Sequence, residues 1–329
     1  MNTLIQVTKS GTIFSGKEED LKQMRTEFDQ NHYLRLPKLL EPELLDFIKS
    51  YVDQTEFIEG PNPQGLGTET CIKENPASHL LHFLMNDQKL YQIIEEITGC
   101  KKIGCFDGRI YYINSHHKSY DRWHNDDGRT RMITLSINLS SGIYSGGILK
   151  IRNAESKTTL HEIPNTGFGD AIIFRIAPYL EHMVSDVEGS VSKIAYAGWF
   201  HEEPNHHSLV QKRFSELRTE IAQTPNTENF LLKHSIVTQQ EGYFSHAVNG
   251  KTVIFKPEDT SYFSLNTIGS RIWSLIQKPI SVSKIKDIIL NEYDVEPDQC
   301  EEDVVSLLDK LAANKLITAY NKELVSSTQ

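Results

Sequence analysis

The sequence predicts an α+β chain in two parts: a helical preamble leading into a sandwich or jelly roll of short strands, then a small winged-helix-like domain. Three observations predict it. Residues Ile103 to Phe200 break into short alternating runs separated by Gly, Asn, Asp and Ser, the texture of antiparallel strands and turns. Ahead of them, apolar residues recur at helical spacing. Beyond them, a few strand-like runs precede three amphipathic helices.

Taken in order, His32 to Pro37 alternates like a short strand, and Glu41 to Val52 places Leu44, Leu45, Ile48 and Val52 on one helix face. Glu56 to Glu69 holds Gly60, Pro61, Pro63, Gly65 and Gly67 and reads as a surface connection. One helix is expected from Leu80 to Thr98, capped by Gly99. In the central block, strands are expected at Gly108 to Ile113, Arg122 to Asp126, Thr130 to Leu139, Gly147 to Arg152, Ala171 to Arg175, Leu180 to Val184 and Ser192 to His201.

The chemistry centres on Trp123-His124-Asn125-Asp126. In an extended strand His124 and Asp126 share a face, and Asn125 and Asp127 point away. An imidazole beside a carboxylate, completed by a second imidazole, is the facial triad that holds ferrous iron and leaves coordination positions open. His182, in the strand-like run Leu-Glu-His-Met-Val, is the expected third ligand. Lys193 follows across a turn at Asp186 to Gly189, placed to pair with the carboxylate of an acid substrate that would be costly to bury alone. The spare histidines His116, His117, His201, His206 and His207, in polar stretches, are expected in solvent, and Trp123 and Trp199 in packing.

Composition excludes several classes. The 38% apolar content supports packed cores, while no run approaches the ~18 apolar residues of a membrane span. A net charge of -10 disfavours a nucleic-acid partner. Four cysteines without CxxC spacing argue against a disulfide framework or a structural zinc site. The first residues lack a signal-peptide pattern, so a cytoplasmic location is expected.

Residues Tyr111 to Glu202 resemble the double-stranded β-helix core of the Fe(II)- and 2-oxoglutarate-dependent oxygenases, in particular the prolyl-hydroxylase-like branch. The resemblance is carried by Trp-His-Asn-Asp at 123 to 126, Arg-Met-Ile-Thr-Leu-Ser-Ile-Asn-Leu at 131 to 139, Ser-Gly-Gly-Ile-Leu at 145 to 149, Gly-Asp-Ala-Ile-Ile-Phe at 169 to 174, and His182 through Lys193 to Trp-Phe-His at 199 to 201. Asn31 to Ile58 and Leu80 to Gly99 resemble that branch's supporting helices. The resemblance implies His124, Asp126 and His182 as iron ligands, Lys193 as the group binding the far carboxylate of 2-oxoglutarate, and Tyr112 as a tyrosine lining the cosubstrate pocket. It implies Fe(II), 2-oxoglutarate and dioxygen as cofactor and cosubstrates. A long connection from Asn114 to Asp121 departs from the pattern at the tyrosine.

Past Phe200, Ser208 to Ala222 is charged and periodic, and Gln223 to Asn229 is a polar, Pro-containing connection. The expected organisation is therefore an oxygenase domain over 1–222, its jelly-roll core at about 103–202, a linker over 223–234 and a second domain over 235–320. In the second domain, strands are expected at Ser235 to Val237, Tyr243 to Val248 and Thr252 to Lys256, with Asn249-Gly250 as a hairpin turn. Helix faces follow at Leu265, Ile268, Ile272 and Ile276, at Ile285, Ile288 and Ile289, and at Val304, Leu307, Leu308 and Leu311. A winged helix first suggests DNA, but from Lys233 onward ten basic residues face thirteen acidic ones. The segment instead resembles the PqqD-like peptide-recognition element, through Tyr262 to Ile276, Tyr293-Asp-Val-Glu-Pro297 and Asp303 to Leu316.

Together the two resemblances imply a dioxygenase that hydroxylates a side chain of a ribosomally made precursor peptide, with the leader on the second domain and the core segment at the iron, and no nucleic-acid or membrane partner. An alternative is an oxygenase of a small metabolite or free amino acid whose second domain binds a pathway protein. A binding protein without turnover is the non-enzymatic alternative.

Overall fold

The computed structural model describes residues 3–61, 68–72, 75–113, 123–128, 130–202, 235–248 and 251–321. The expected helix Ser208 to Ala222, the linker 223–234, the Asn249-Gly250 turn, the connection Asn114 to Asp121 and His116, His117, His206 and His207 lie outside them. The chain divides into two compact units, one of residues 1–212 with 257–261, the other of residues 213–256 with 262–329.

The first unit begins with a hairpin, β1 (Ile5–Thr8) and β2 (Gly11–Phe14), then α1 (Glu18–Asn31), β3 (Tyr33–Leu36) and α2 (Pro42–Val52). Helix α2 buries the four residues its spacing singles out, Leu44, Leu45, Ile48 and Val52. Residues 56–69 are not a plain connection: β4 (Phe57–Pro61) and β5 (Thr68–Ile72) pair as an antiparallel hairpin, and β5 joins the main sheet. The β-branched and aromatic residues at its two ends, Phe57, Ile58, Thr70 and Ile72, favour strand over the glycines between them.

The helix expected over Leu80 to Thr98 is two, α3 (Pro76–Met85) and α4 (Gln88–Thr98). The break lies at Asn86 and Asp87, both buried. Asn86 Oδ1 accepts from Phe106 N at 2.9 Å, and Asp87 accepts from Lys89 N at 3.0 Å and from Thr12 N at 2.7 Å. Short polar side chains that satisfy nearby backbone groups compete with the helical ladder, so the helix restarts at its own N-cap. Gly99 closes α4 in the left-handed region, at φ 60°.

The strands that follow are β6 (Cys105–Ile113), β7 (Arg131–Asn138), β8 (Ser145–Gly146), β9 (Leu149–Asn153), β10 (Thr159–Ile163), β11 (Ala171–Arg175), β12 (Leu180–Val184), β13 (Val187–Glu188) and β14 (Lys193–His201). A seven-stranded sheet runs β3-β11-β7-β14-β6-β5-β4, and a three-stranded sheet runs β10-β9-β12. Between them Leu149, Ile151, Ile163, Ile172, Phe174, Ala177 and Leu180 form a core, the interior of a jelly roll.

Register assigns the two faces of the large sheet. Residues directly opposite across a ladder share a face. Thr134–Trp199, Ser136–Ala197 and Asn138–Ala195 are opposed pairs on the interior face, as are Arg109–Ala197 and Tyr111–Ala195. The other face is apolar: Tyr196, Phe200 and Phe106 are almost completely buried, and Phe200 meets Tyr91 of α4 edge-on at 6.1 Å. Strands β6 and β14 cross so closely that a Cβ on Gly198 would lie 2.0 Å from the carbonyl oxygen of Asp107.

The second unit contains β15 (Ser235–Gln239), β16 (Phe244–Val248), β17 (Lys251–Lys256), β18 (Ser261–Leu265), α5 (Thr267–Leu275), β19 (Ile280–Ser281), α6 (Val282–Glu292), α7 (Pro297–Ala313) and β20 (Ile317–Asn321). Its strands make two three-stranded sheets, β19-β15-β20 and β16-β17-β18, where the sequence suggests one. The three helices bury Ile272, Trp273, Ile285, Ile289, Val304, Leu308 and Leu311 in one core with Val237 and Ile254. The Leu-Asn-Thr-Ile-Gly run has a physical meaning: Leu265 enters the core, Asn266 caps α5 by accepting from Gly269 N at 2.8 Å, and a Cβ on Gly269 would crowd that cap oxygen at 3.1 Å. No helix among the described residues is long and apolar enough to cross a membrane.

Candidate metal centre

His124 is held by a single antiparallel bridge to His182, not by a regular strand. Each histidine's N–H donates to the other's carbonyl, at 3.1 and 2.8 Å. Arg122 lies outside the described residues; in the rest of the expected strand Arg122 to Asp126 only His124 is bridged, and 125–128 leave the ladder. Asn125 causes the departure, because its side chain accepts from Asp127 N at 2.8 Å and forms a turn. His182 sits mid-way along β12 opposite Ile151, with Phe174 against its ring at 4.7 Å. The bridge therefore aims two imidazoles to one side, their ring centroids 4.3 Å apart.

Asp126 turns into the same space. One ligand atom from each of His124, Asp126 and His182 lies within 4.8 Å of the others, the one such group among the described residues. His124 Nε2 is 3.5 Å from Asp126 Oδ1, and His182 Nε2 is 3.3 Å from Asp126 Oδ2. Asp126 is 5% exposed. Burial works to raise its carboxyl, but the imidazoles of His124 and His182 and the Trp199 N–H outweigh burial and hold it well below the usual carboxylate range. Asp127, by contrast, is exposed.

Two residues to which the sequence assigned no part in the site fix this carboxylate. Trp199 Nε1 donates to Asp126 Oδ2 at 2.8 Å, and Thr134 Oγ1 donates to the same oxygen at 3.3 Å. The expectation that Trp199 only packs is corrected, since its indole N–H orients the Asp126 carboxylate. Trp123 does pack, under the Arg152 guanidinium at 4.2 Å. His201 is also corrected: it is half-buried and bonded through Nδ1 to Thr130 Oγ1 at 2.9 Å.

Lys193 shares the interior face with Ala195, Ala197 and Trp199. It is 8% exposed, and its Nζ donates to Gly147 O at 2.7 Å. Two small side chains, Ala195 and Ala197, lie along that face between the ammonium and Trp199. Tyr144 stands at the same end, with Cε2 3.1 Å from where a Gly147 Cβ would be and Lys193 Cδ equally near. Burial pushes the Tyr144 hydroxyl up to about 12.

Tyr112 is not on this face. It opposes Ile194, one step out of phase with Lys193, and its hydroxyl accepts from Ser192 Oγ at 2.7 Å while its ring meets Phe57. Tyr111 is the tyrosine that faces the interior. The sequence places the two side by side, and only the strand register separates them.

The donor set fits ferrous iron: two imidazoles and one buried carboxylate on a common point, the carboxylate steadied by outer N–H and O–H groups. The imidazole-to-carboxylate separations exceed ordinary hydrogen-bond lengths, as expected of groups converging on a shared centre.

Residues 110–201 match the family model described as the 2OG-Fe(II) oxygenase superfamily, and residues 251–317 match that described as coenzyme PQQ synthesis protein D (PqqD). No curated protein sequence matches the chain. Among solved structures, a 2OG-Fe(II) oxygenase family oxidoreductase from Burkholderia pseudomallei is similar at 12% identity and TM-score 0.42, over 61% of this chain and 97% of that one. A Pseudomonas putida prolyl-4-hydroxylase is similar at 14% identity and TM-score 0.41, over 56% and 99%. TbiB1 in complex with the TbiA(beta) leader peptide is similar at 29% identity and TM-score 0.24, over 26% of this chain and 99% of that one.

Proposed function

We propose that this chain, an oxygenase of the 2OG-Fe(II) superfamily with a PqqD domain behind it, hydroxylates a side chain of a ribosomally made precursor peptide whose leader the second unit binds. The observation that carries the reading is the convergence of His124, Asp126 and His182 in a chain that also has the PqqD domain. Those three residues would hold Fe(II), which, with 2-oxoglutarate and dioxygen bound, supplies the oxidising power to hydroxylate an unactivated C–H bond.

The chain's own residues have separable tasks. Asp126 stays ionised, and Trp199 and Thr134 keep its oxygens oriented. Lys193 receives the far carboxylate of 2-oxoglutarate as a point charge, exchanging its bond to the Gly147 carbonyl for a charge-assisted one. Ala195 and Ala197 leave room for the cosubstrate, and Tyr111 lines it in place of Tyr112. Phe174, Ile151 and Leu180 exclude water behind His182.

In the second unit, the sheet β16-β17-β18 has β16 and β18 as its edges. An edge strand offers a row of backbone groups to an extended peptide, so affinity comes from the backbone and selectivity from side-chain pockets. Capturing the leader raises the effective concentration of the core segment at the iron.

The test is succinate release by the full chain with three additions: a leader–core peptide, the core alone, and the core with leader in trans. Turnover strongest with the linked peptide supports the reading. Equal turnover with core alone removes the leader's role, and turnover on free amino acids alone favours the small-molecule alternative.

A further inference from the structure

Trp199 carries a second contact that the iron site does not use. The Arg131 guanidinium lies over its ring with Cζ 3.6 Å from the centroid, close packing for a cation on an aromatic face. Arg109, opposite Ala197 on the interior face, is 5.6 Å from the same ring. Arg131 therefore stands one indole ring and one hydrogen bond away from the Asp126 carboxylate.

The described acids nearby do not neutralise Arg131. Glu202 pairs with Lys101 at 2.6 Å, Asp126 faces the two imidazoles, and neither Asp107 nor Asp127 forms an ion pair with Arg131. Stacking occupies the flat face of a guanidinium and leaves its edge N–H groups free for a bidentate carboxylate. Site charge points the same way. Ferrous iron and Lys193 would be balanced by Asp126 and the dianionic cosubstrate, which leaves Arg109 and Arg131 at the Trp199 ring against one carboxylate, Asp107, opposite Trp199: a net positive charge at this end of the face.

We infer that Arg131, stacked on Trp199, selects a substrate residue bearing a carboxylate, so that the segment presented to the iron is acidic at or beside the oxidised position. This rests on the iron reading above and deepens it. Arg131 is a specificity-determining residue, and Lys193 a separate anion site for the cosubstrate.

The test uses the full chain with Mn(II) in the iron position and saturating 2-oxoglutarate, so that Lys193 is already occupied. The probes are N-acetyl-aspartate N-methylamide and N-acetyl-asparagine N-methylamide, read by Mn(II)-induced broadening of their proton lines. The aspartate probe is expected to broaden at concentrations roughly tenfold or more below the asparagine probe, the worth of a charge-assisted pair. Arg131→Gln should abolish the preference and Arg131→Lys should retain part of it, with the broadening of 2-oxoglutarate's own protons unchanged in both. If Arg131→Gln also loses the 2-oxoglutarate signal, the site has collapsed and the lysine variant decides. Equal broadening of the two probes, or an acidic preference that survives Arg131→Gln, overturns the inference. Absence of 2-oxoglutarate broadening in the unmodified chain overturns instead the iron reading beneath it.

Discussion

The two units use opposite strategies for their polar groups. In the jelly roll, one face of β14 is packed solid by Tyr196 and Phe200, while the other carries Lys193, two alanines and Trp199 around a buried carboxylate. In the second unit, the helices close on a continuous apolar core, and polar side chains are spent on caps at Asn266 and Ser281 and on pairs such as Arg271–Glu292 and Lys286–Glu301. Both are stable arrangements of similar residue types. The first puts small residues and ionisable groups on one sheet face, which suits chemistry. The second has no comparable cluster among its described residues and offers strand edges, which suits backbone recognition.

The sharpest way to break this contrast is His182→Ala. It should eliminate iron-dependent turnover and leave leader-peptide affinity unchanged, measured by succinate release beside a binding titration. Loss of both together would mean the units do not divide the work. The reciprocal change is Trp273→Ala, which removes a ring that is 3% exposed and bonded to Ser245 Oγ at 3.1 Å. It should cost the second unit about 3–5 kcal/mol, seen as an earlier unfolding transition and weakened leader binding with the Fe(II)–2-oxoglutarate complex retained.

Within the jelly roll, Trp199→Phe keeps a ring against Arg131 and deletes the N–H to Asp126. Iron affinity should fall by about 10–100-fold, the usual cost of an outer hydrogen bond to a ligand, as measured by competitive chelation. Unchanged affinity would reduce Trp199 to packing. The smallest effect separates the two tyrosines. Tyr111→Phe should weaken 2-oxoglutarate binding a few-fold, and Tyr112→Phe should leave it unaltered in an anaerobic titration, because the latter lies on the other face.

Most strands of the jelly roll were legible as short strand-like runs bounded by turn residues: Ala171 to Arg175, buried at its first four residues, and Leu180 to Val184 form strands at the bounds the sequence suggests. Where the reading failed, local chemistry and long-range pairing had competed. Asn86 and Asp87 split a helix whose apolar spacing runs on unbroken, because their partners, Phe106 and Thr12, are remote in sequence. The His124, Asp126 and His182 grouping was visible as residue types in order, yet the single bridge that assembles it was not. Trp199 had a usable signal: it is an even number of residues past Lys193 on one strand, hence on the same face. The choice between Tyr111 and Tyr112 had none, since register is a property of pairing.

The most direct measurement of the central claim is anaerobic titration of the full chain with Fe(II) and 2-oxoglutarate, followed by oxygen, with Asp126→Ala in parallel. The account predicts a visible metal-to-cosubstrate charge-transfer band in the unmodified chain that bleaches on oxygenation with release of succinate, and neither signal in the variant. Identical behaviour of the two proteins, with no band in either, would contradict it.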